Sequence, residues 1–134
     1  MVTGPRVFDS WAIMALLEDE PAGATVESLI VEAQASYASL WITAVNLGEV
    51  WYNLARRRSR DVANNKVGEI LELGFEVESA DWNLTFQAAQ FKAQYRLSHA
   101  DCFAAALAKQ RQVELVTGDP GFRQLDKEIK IRWL

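Results

Sequence analysis

The chain has 134 residues, half of them hydrophobic and 24% charged, with a single cysteine and a single histidine. That size and balance describe one globular domain that buries its own core, exclude a disordered chain, and leave Cys102 with no partner for an internal disulfide or a Cys-based zinc site. The net charge of −4, from 14 basic and 18 acidic residues, argues against a nucleic-acid surface built on bulk positive charge; four acids singled out below account for the whole excess, so net charge does not decide the matter.

The opening MVTGPRVFDS has no basic region followed by a long apolar run. No signal peptide or membrane span is expected, and the cytosol is the expected compartment. Arg6-Val7-Phe8 is a short apolar strand that ends at Asp9. Ser10–Glu18 follows as a helix with Trp11, Ile13, Met14 and Leu17 apolar, closed by Asp19, Glu20 and Pro21. Val26, Leu29, Ile30, Ala33 and Tyr37 recur at helical spacing and predict a second helix over Thr25–Ala38.

Leu40-Trp41-Ile42-Thr43 is β-branched and aromatic, as a buried strand is. After it, Asn46 fits a helix N-cap with Glu49 three residues on, a capping-box spacing, and an amphipathic run continues through Leu54 to Arg58. Asp61–Leu73 predicts a helix with Val62, Val67, Ile70 and Leu71 inward, stopped by Gly74. Phe75-Glu76-Val77 is a short strand. Asp81 caps a helix carrying Leu84, Ala88, Phe91 and Tyr95.

Ser98 opens an alanine-rich helix, His99-Ala100-Asp101-Cys102-Phe103-Ala104-Ala105-Ala106-Leu107-Ala108, which ends near Gln110–Arg111. Such small side chains allow close packing against neighbours. Val113–Val116 is a strand, Thr117-Gly118-Asp119-Pro120-Gly121 is a turn with proline placed for helix entry, and Ile129–Trp133 alternates as a strand does. Strand and helix alternate without repeats or linkers. The expected fold is therefore α/β, three-layered, with a mainly parallel central sheet and helices on both faces, as a single domain over residues 1–134. Sites in such sheets form beyond the carboxyl ends of the strands.

Four acids belong at that edge. Asp9 follows the first strand, Asp119 follows Val113–Val116, Glu49 follows Leu40–Thr43 in the first turn of its helix, and Asp101 lies in the first turn of the alanine-rich helix. Each has an ordinary explanation as a helix cap or a first-turn acid that complements the helix dipole. Gathered in one pocket, however, four carboxylates repel one another unless cations sit between them. An oxygen-rich cluster without histidine suits Mg²⁺ or Mn²⁺, one ion or two. Such ions activate water and stabilise charge at a phosphoryl centre.

The densest basic run is Arg56-Arg57-Arg58-Ser59-Arg60. It is either a solvated helix end, where cations complement the dipole, or a patch that contacts RNA phosphates or an acidic partner. Its distance from Glu49, about two helical turns, would bring Arg56 near the cleft mouth. His99 is expected at the surface or behind the site rather than in the catalytic set, and Cys102 as a small core residue.

Several stretches in order resemble the PIN-domain ribonucleases of the VapC toxin type. They are Val7-Phe8-Asp9-Ser10, Asn46-Leu47-Gly48-Glu49-Val50, Leu97 through Ala108, Val116-Thr117-Gly118-Asp119-Pro120-Gly121-Phe122, and the closing Lys130-Ile131-Arg132-Trp133-Leu134. The resemblance implies a Mg²⁺- or Mn²⁺-dependent endoribonuclease with Asp9, Glu49, Asp101 and Asp119 as metal-site acids, supported by the hydroxyls of Thr117 and Ser10. It also implies products with 5′-phosphate and 3′-hydroxyl ends, a homodimer, and a small antitoxin whose C-terminal segment enters the cleft. One motif departs from the family pattern: Ser10-Trp11 stands where Thr-Asn or Ser-Ser is usual. Three other readings remain open from the residues alone. They are a receiver-type signalling domain with an acidic Mg²⁺ pocket, a non-catalytic binding module on the same fold, and a general RNA-processing nuclease. The receiver is disfavoured by the isolation of Asp9 and by the lack of a lysine after the last strand.

Overall fold

A computed structural model describes residues 4–134; the first three residues of the N-terminal segment lie outside it. In chain order the elements are β1 (Arg6–Phe8), α1 (Ser10–Leu17), α2 (Gly23–Ser36), β2 (Leu40–Thr43), α3 (Ala44–Arg57), α4 (Arg60–Glu72) and β3 (Phe75–Glu78). There follow α5 (Trp82–Gln94), α6 (His99–Arg111), β4 (Glu114–Thr117), a 3₁₀ turn (Pro120–Leu125) and β5 (Ile131–Trp133). The strands form one sheet in the order β3-β2-β1-β4-β5, and every pairing is parallel.

β1 is central, and its residues divide between the two faces, as a two-residue period requires. Val7 packs with Leu115 among the side chains of α5 and α6. Phe8 packs with Val116 among those of α1, α2, α3 and α4, and meets Phe75 edge-on with ring centroids 5.2 Å apart. Burial on both faces explains why these strands are apolar runs rather than alternating ones. The expected three-layer α/β architecture is present. Its strand order also differs from that of the receiver fold, in which the first strand lies between the second and the third.

Five helices begin at a side-chain cap. Asp9, Thr43, Ser59, Asp81 and Ser98 each accept a hydrogen bond from the backbone N–H three residues on, which satisfies one of the free donors of a first turn. Four expectations need correction. α2 begins at Gly23, two residues before Thr25; there the chain runs so close to α1 that a Cβ on Gly23 would stand 2.6 Å from the Ala15 carbonyl oxygen. β4 starts after Val113, and β5 is only the last part of the Ile129–Trp133 run. The cap of α3 is Thr43 and not Asn46, so Glu49 falls in the second turn, and no capping box forms. Gly74 ends α4 with φ +95, the left-handed conformation that glycine adopts freely.

Candidate active site

The strand order turns around at β1, with β2 on one side and β4 on the other. A crevice opens above their carboxyl ends, where parallel sheets form their sites. Asp9 leaves β1 at this point and is fully buried. Its Oδ1 accepts from the Ala12 backbone N–H at 2.8 Å, and its Oδ2 accepts from the Thr117 hydroxyl at 2.5 Å. Thr117 Oγ1 accepts in turn from the Asp119 backbone N–H at 3.0 Å. One hydroxyl thus ties the exit of β1 to the exit of β4.

Above Asp9 lies an open cleft of about 410 Å³ lined by Ser10, Trp11, Met14, Glu20, Glu49, Asn53, Arg57, Ser98, Asp101 and Asp119. The Ser10 hydroxyl donates to Glu49 Oε1, which holds α3 against the start of α1. Asp119 caps the 3₁₀ turn by accepting from the Gly121 N–H at 2.9 Å. A larger groove of about 600 Å³ lies between α2 and α4, but it contains none of these four acids.

The electrostatics of the cleft are one-sided. Burial is the main cause that pushes the Asp9 carboxyl up to about 8; the Thr117 and Ala12 hydrogen bonds oppose the rise, and Asp101 and Asp119 add to it. Asp101 is pushed up to about 6, first by burial and then by Asp119, with Glu49 contributing and Ser98 opposing. All four predicted acids therefore belong to one electrostatic cluster. Burial leads both shifts and the neighbouring carboxylates add to them, as happens where acids are gathered at a functional site.

The donor set fits a hard divalent cation: it is all oxygen, with no imidazole or thiolate. His99 instead meets Phe103 edge-on on α6, and the Cys102 thiol is buried, with its pKa raised by that burial. Among the described residues no group of three or more His, Cys, Asp or Glu side chains is already placed to hold a metal ion together. Mg²⁺ does not demand one, since it keeps several waters and takes only one or two carboxylates beside a phosphate.

Asn46 acquires a different role from the one its spacing suggested. It is completely buried, it accepts from the Thr43 hydroxyl at 2.5 Å, and its Nδ2 donates to the Ala100 carbonyl at 3.1 Å. It therefore couples the helix of Glu49 to the helix of Asp101. The basic run is divided. Arg57 lines the cleft, whereas Arg56 stacks on Tyr52, 5.1 Å from the ring centroid. Arg58 pairs with Glu18 at 2.9 Å, and Arg60 opens α4. Sequence reading missed Asn53 and Glu20 as cleft residues. The available signal was the four-residue spacing of Glu49, Asn53 and Arg57, which places them on one helical stripe.

The model of the PIN domain matches residues 6–128. The chain belongs to the PIN-domain family. Solved PIN-domain structures share the fold at low identity. A VapBC complex of Salmonella typhimurium bound to DNA superposes with a TM-score of 0.77 at 15% identity, covering 96% of this chain and 97% of that one. VapBC2 of Rickettsia felis, bound to a fragment of its promoter, gives 0.74 at 13% identity over 96% and 98%. VapC20 of Mycobacterium tuberculosis, described as a toxin that cleaves the sarcin-ricin loop, gives 0.72 at 19% identity over 95% and 98%. A search of curated proteins finds no match. Among the described residues of this PIN domain, no helix is long and apolar enough to cross a membrane.

Proposed function

We propose that this PIN domain is a Mg²⁺- or Mn²⁺-dependent endoribonuclease, the toxin of a toxin–antitoxin pair, acting in the cytoplasm. The observation that carries the proposal is the gathering of Glu49, Asp101 and Asp119 around one cleft, with Asp9 buried at the exit of β1 and tied through Thr117 to the strand end that carries Asp119. Carboxylates gathered in this way, with Arg57 as the basic side chain among the lining residues, suit a bound cation. In the reaction a water oxygen bonds to phosphorus, the bond from phosphorus to O3′ breaks, and the departing oxygen takes a proton. A divalent ion, when bound, supplies an acidified water and offsets charge on the oxygens of the phosphate.

This chain's residues do the rest. Asp9, Glu49, Asp101 and Asp119 supply oxygens to the ion. Thr117 and Ser10 fix the orientation of Asp9 and Glu49, and Asn46 sets the spacing between α3 and α6. Arg57, on the wall of the cleft, holds the substrate phosphate; Arg56, Arg58 and Arg60 extend that positive edge. The solved VapBC complexes support a small antitoxin as partner, and a second copy of the chain completes the assembly. Incubation of a mixed RNA pool with Mg²⁺ or Mn²⁺, beside an EDTA control and Asp101→Asn, tests the proposal. Cleavage that depends on metal and is lost in the variant is expected; a folded, partner-free protein that leaves every RNA intact would mark a binding module instead.

A further inference from the structure

Six of the eight residues of α1 are buried and Leu16 is half-buried; Trp11 alone is exposed. The residue retains 37% exposure and lines the cleft beside Met14 and among Ser10, Glu49, Arg57, Asp101 and Asp119. A large apolar ring in a cleft of charges calls for an explanation. The opposite wall of its seat is informative. A Cβ on Gly118 would stand 2.2 Å from the indole Cη2 and 2.3 Å from Cζ3. Gly118 does not have the positive φ that would call for glycine; among the described glycines only Gly74 does. What the missing side chain provides is room. The indole is thus wedged against the backbone between Thr117 and Asp119, with part of its surface open to the cleft.

We infer that Trp11 is a stacking platform for an unpaired RNA base next to the phosphate that is cut. This rests on the nuclease reading above. The chemistry favours a base over any other group. Acids line the cleft and repel anions, and Arg57 answers one phosphate. The open surface of a fixed indole is apolar and π-rich, which suits a nucleobase of any identity. A base inside a duplex already stacks on its neighbours and cannot reach a side chain in this way, whereas an unpaired base can be splayed out onto one. Because the Gly118 seat fixes the indole beforehand, little side-chain freedom remains to be lost on binding.

The test is equilibrium binding of a mixed-sequence unpaired octaribonucleotide and of a blunt duplex of the same sequence, with Mg²⁺ present. An Asp101→Asn background prevents cleavage. Trp11→Ala should weaken octamer binding roughly 5- to 100-fold, and duplex binding by less than about twofold. Trp11→Phe should retain most of the affinity, and Trp11→Leu, similar in apolarity but without a π-face, should behave as alanine does. Gly118→Ala, which has to displace the indole, should weaken octamer binding in the same way and add nothing to Trp11→Ala. Full affinity in Trp11→Leu would overturn the platform in favour of simple bulk. Equal losses on octamer and duplex, or no loss on either, would overturn it while leaving the nuclease reading intact; in the last case Trp11 would face a protein partner instead. Failure of both RNAs to bind, with no cleavage by the unsubstituted protein, would remove both readings together.

Discussion

β1 is three residues long and ends in opposite kinds of electrostatics. At its start Arg6 meets Glu114 of the neighbouring strand at 3.0 Å, its side chain 12% exposed; the charges cancel and the pair braces β1 on β4. One strand length away, Asp9 meets Asp101 and Asp119, and its carboxyl is pushed up to about 8. The same two strands supply both ends. What differs is that the amino edge is balanced by the chain itself, while the carboxyl edge is left for something else to balance. Stability resides in the first arrangement and capacity for chemistry in the second.

Removing the imbalance is the most direct way to break that contrast. On the proposed role of Asp9 at the metal, Asp9→Asn should reduce RNA cleavage by several orders of magnitude, since an oxygen and its charge are lost together. It should also stabilise the metal-free protein at pH 8 by roughly 1–3 kcal/mol, because a buried charge is no longer forced among like charges. Cleavage assays paired with thermal melts in EDTA check both halves; an active variant, or one less stable than the parent, would contradict the contrast.

Loosening the frame around the acids comes next. Asn46→Ala removes the tie between α3 and the Ala100 carbonyl. The buried Thr43 hydroxyl loses its acceptor, which should cost about 1–3 kcal/mol, and the altered spacing of Glu49 and Asp101 should lower cleavage about 10- to 100-fold. Unchanged cleavage alongside the stability loss would show that the two helices keep their spacing without Asn46.

A titration sharpens the comparison without any mutation. Asp9 and Asp101 have folded-state pKa values of about 8 and about 6, above the ordinary value of 3.8 that applies in the unfolded chain. The folded protein therefore holds more protons than the unfolded one between those limits. Stability is fully present below about pH 4 and is lost as pH rises through about 6 and again through about 8. In EDTA the melting temperature should fall across that window; with Mg²⁺ the fall should be shallower. Identical profiles with and without Mg²⁺ would mean that no ion settles among these acids.

The smallest effect is expected at the balanced edge. Arg6→Met breaks an ion pair whose Glu114 partner is already 38% exposed, and it removes a buried Nη1 that has no hydrogen-bond partner. Stability should stay within about 1 kcal/mol of the parent, and RNA cleavage should not change. A large loss of cleavage would show that the two ends of β1 are mechanically coupled.

Much of this was legible in the residues because it depends on short-range chemistry. Strand and helix alternate in the apolar pattern, Asp9, Asp81 and Ser98 stand where caps are needed, and Gly74 stops α4. The four acids could be assigned to one edge because parallel strands share an end. What escaped is tertiary. Thr43 and Asn46 are both able to cap a helix, and the choice between them follows from the Ala100 carbonyl, 54 residues away in sequence. Arg57 rather than Arg56 lines the cleft because it continues the four-residue stripe of Glu49 and Asn53, while Arg56 stacks on Tyr52. Trp11 stood out as a bulky residue beside the site that departs from the family pattern; what its neighbours in sequence could not show is the seat left for it by Gly118, more than a hundred residues later.

The bond from Thr117 to Asp9 spans 108 residues. It has a consequence for timing on the ribosome. β1 is made first yet lies in the middle of the sheet, and its second neighbour, β4, is synthesised nearly last. At about 5–20 residues per second, roughly 5–20 s separate the emergence of Asp9 from that of Thr117. Through that interval the nascent chain can bury α1 and α2 against β1 and β2, but Asp9 still lacks its hydroxyl partner, and Asp119 does not yet exist. The order of translation thus keeps the acidic cluster unassembled until almost the whole domain has been made.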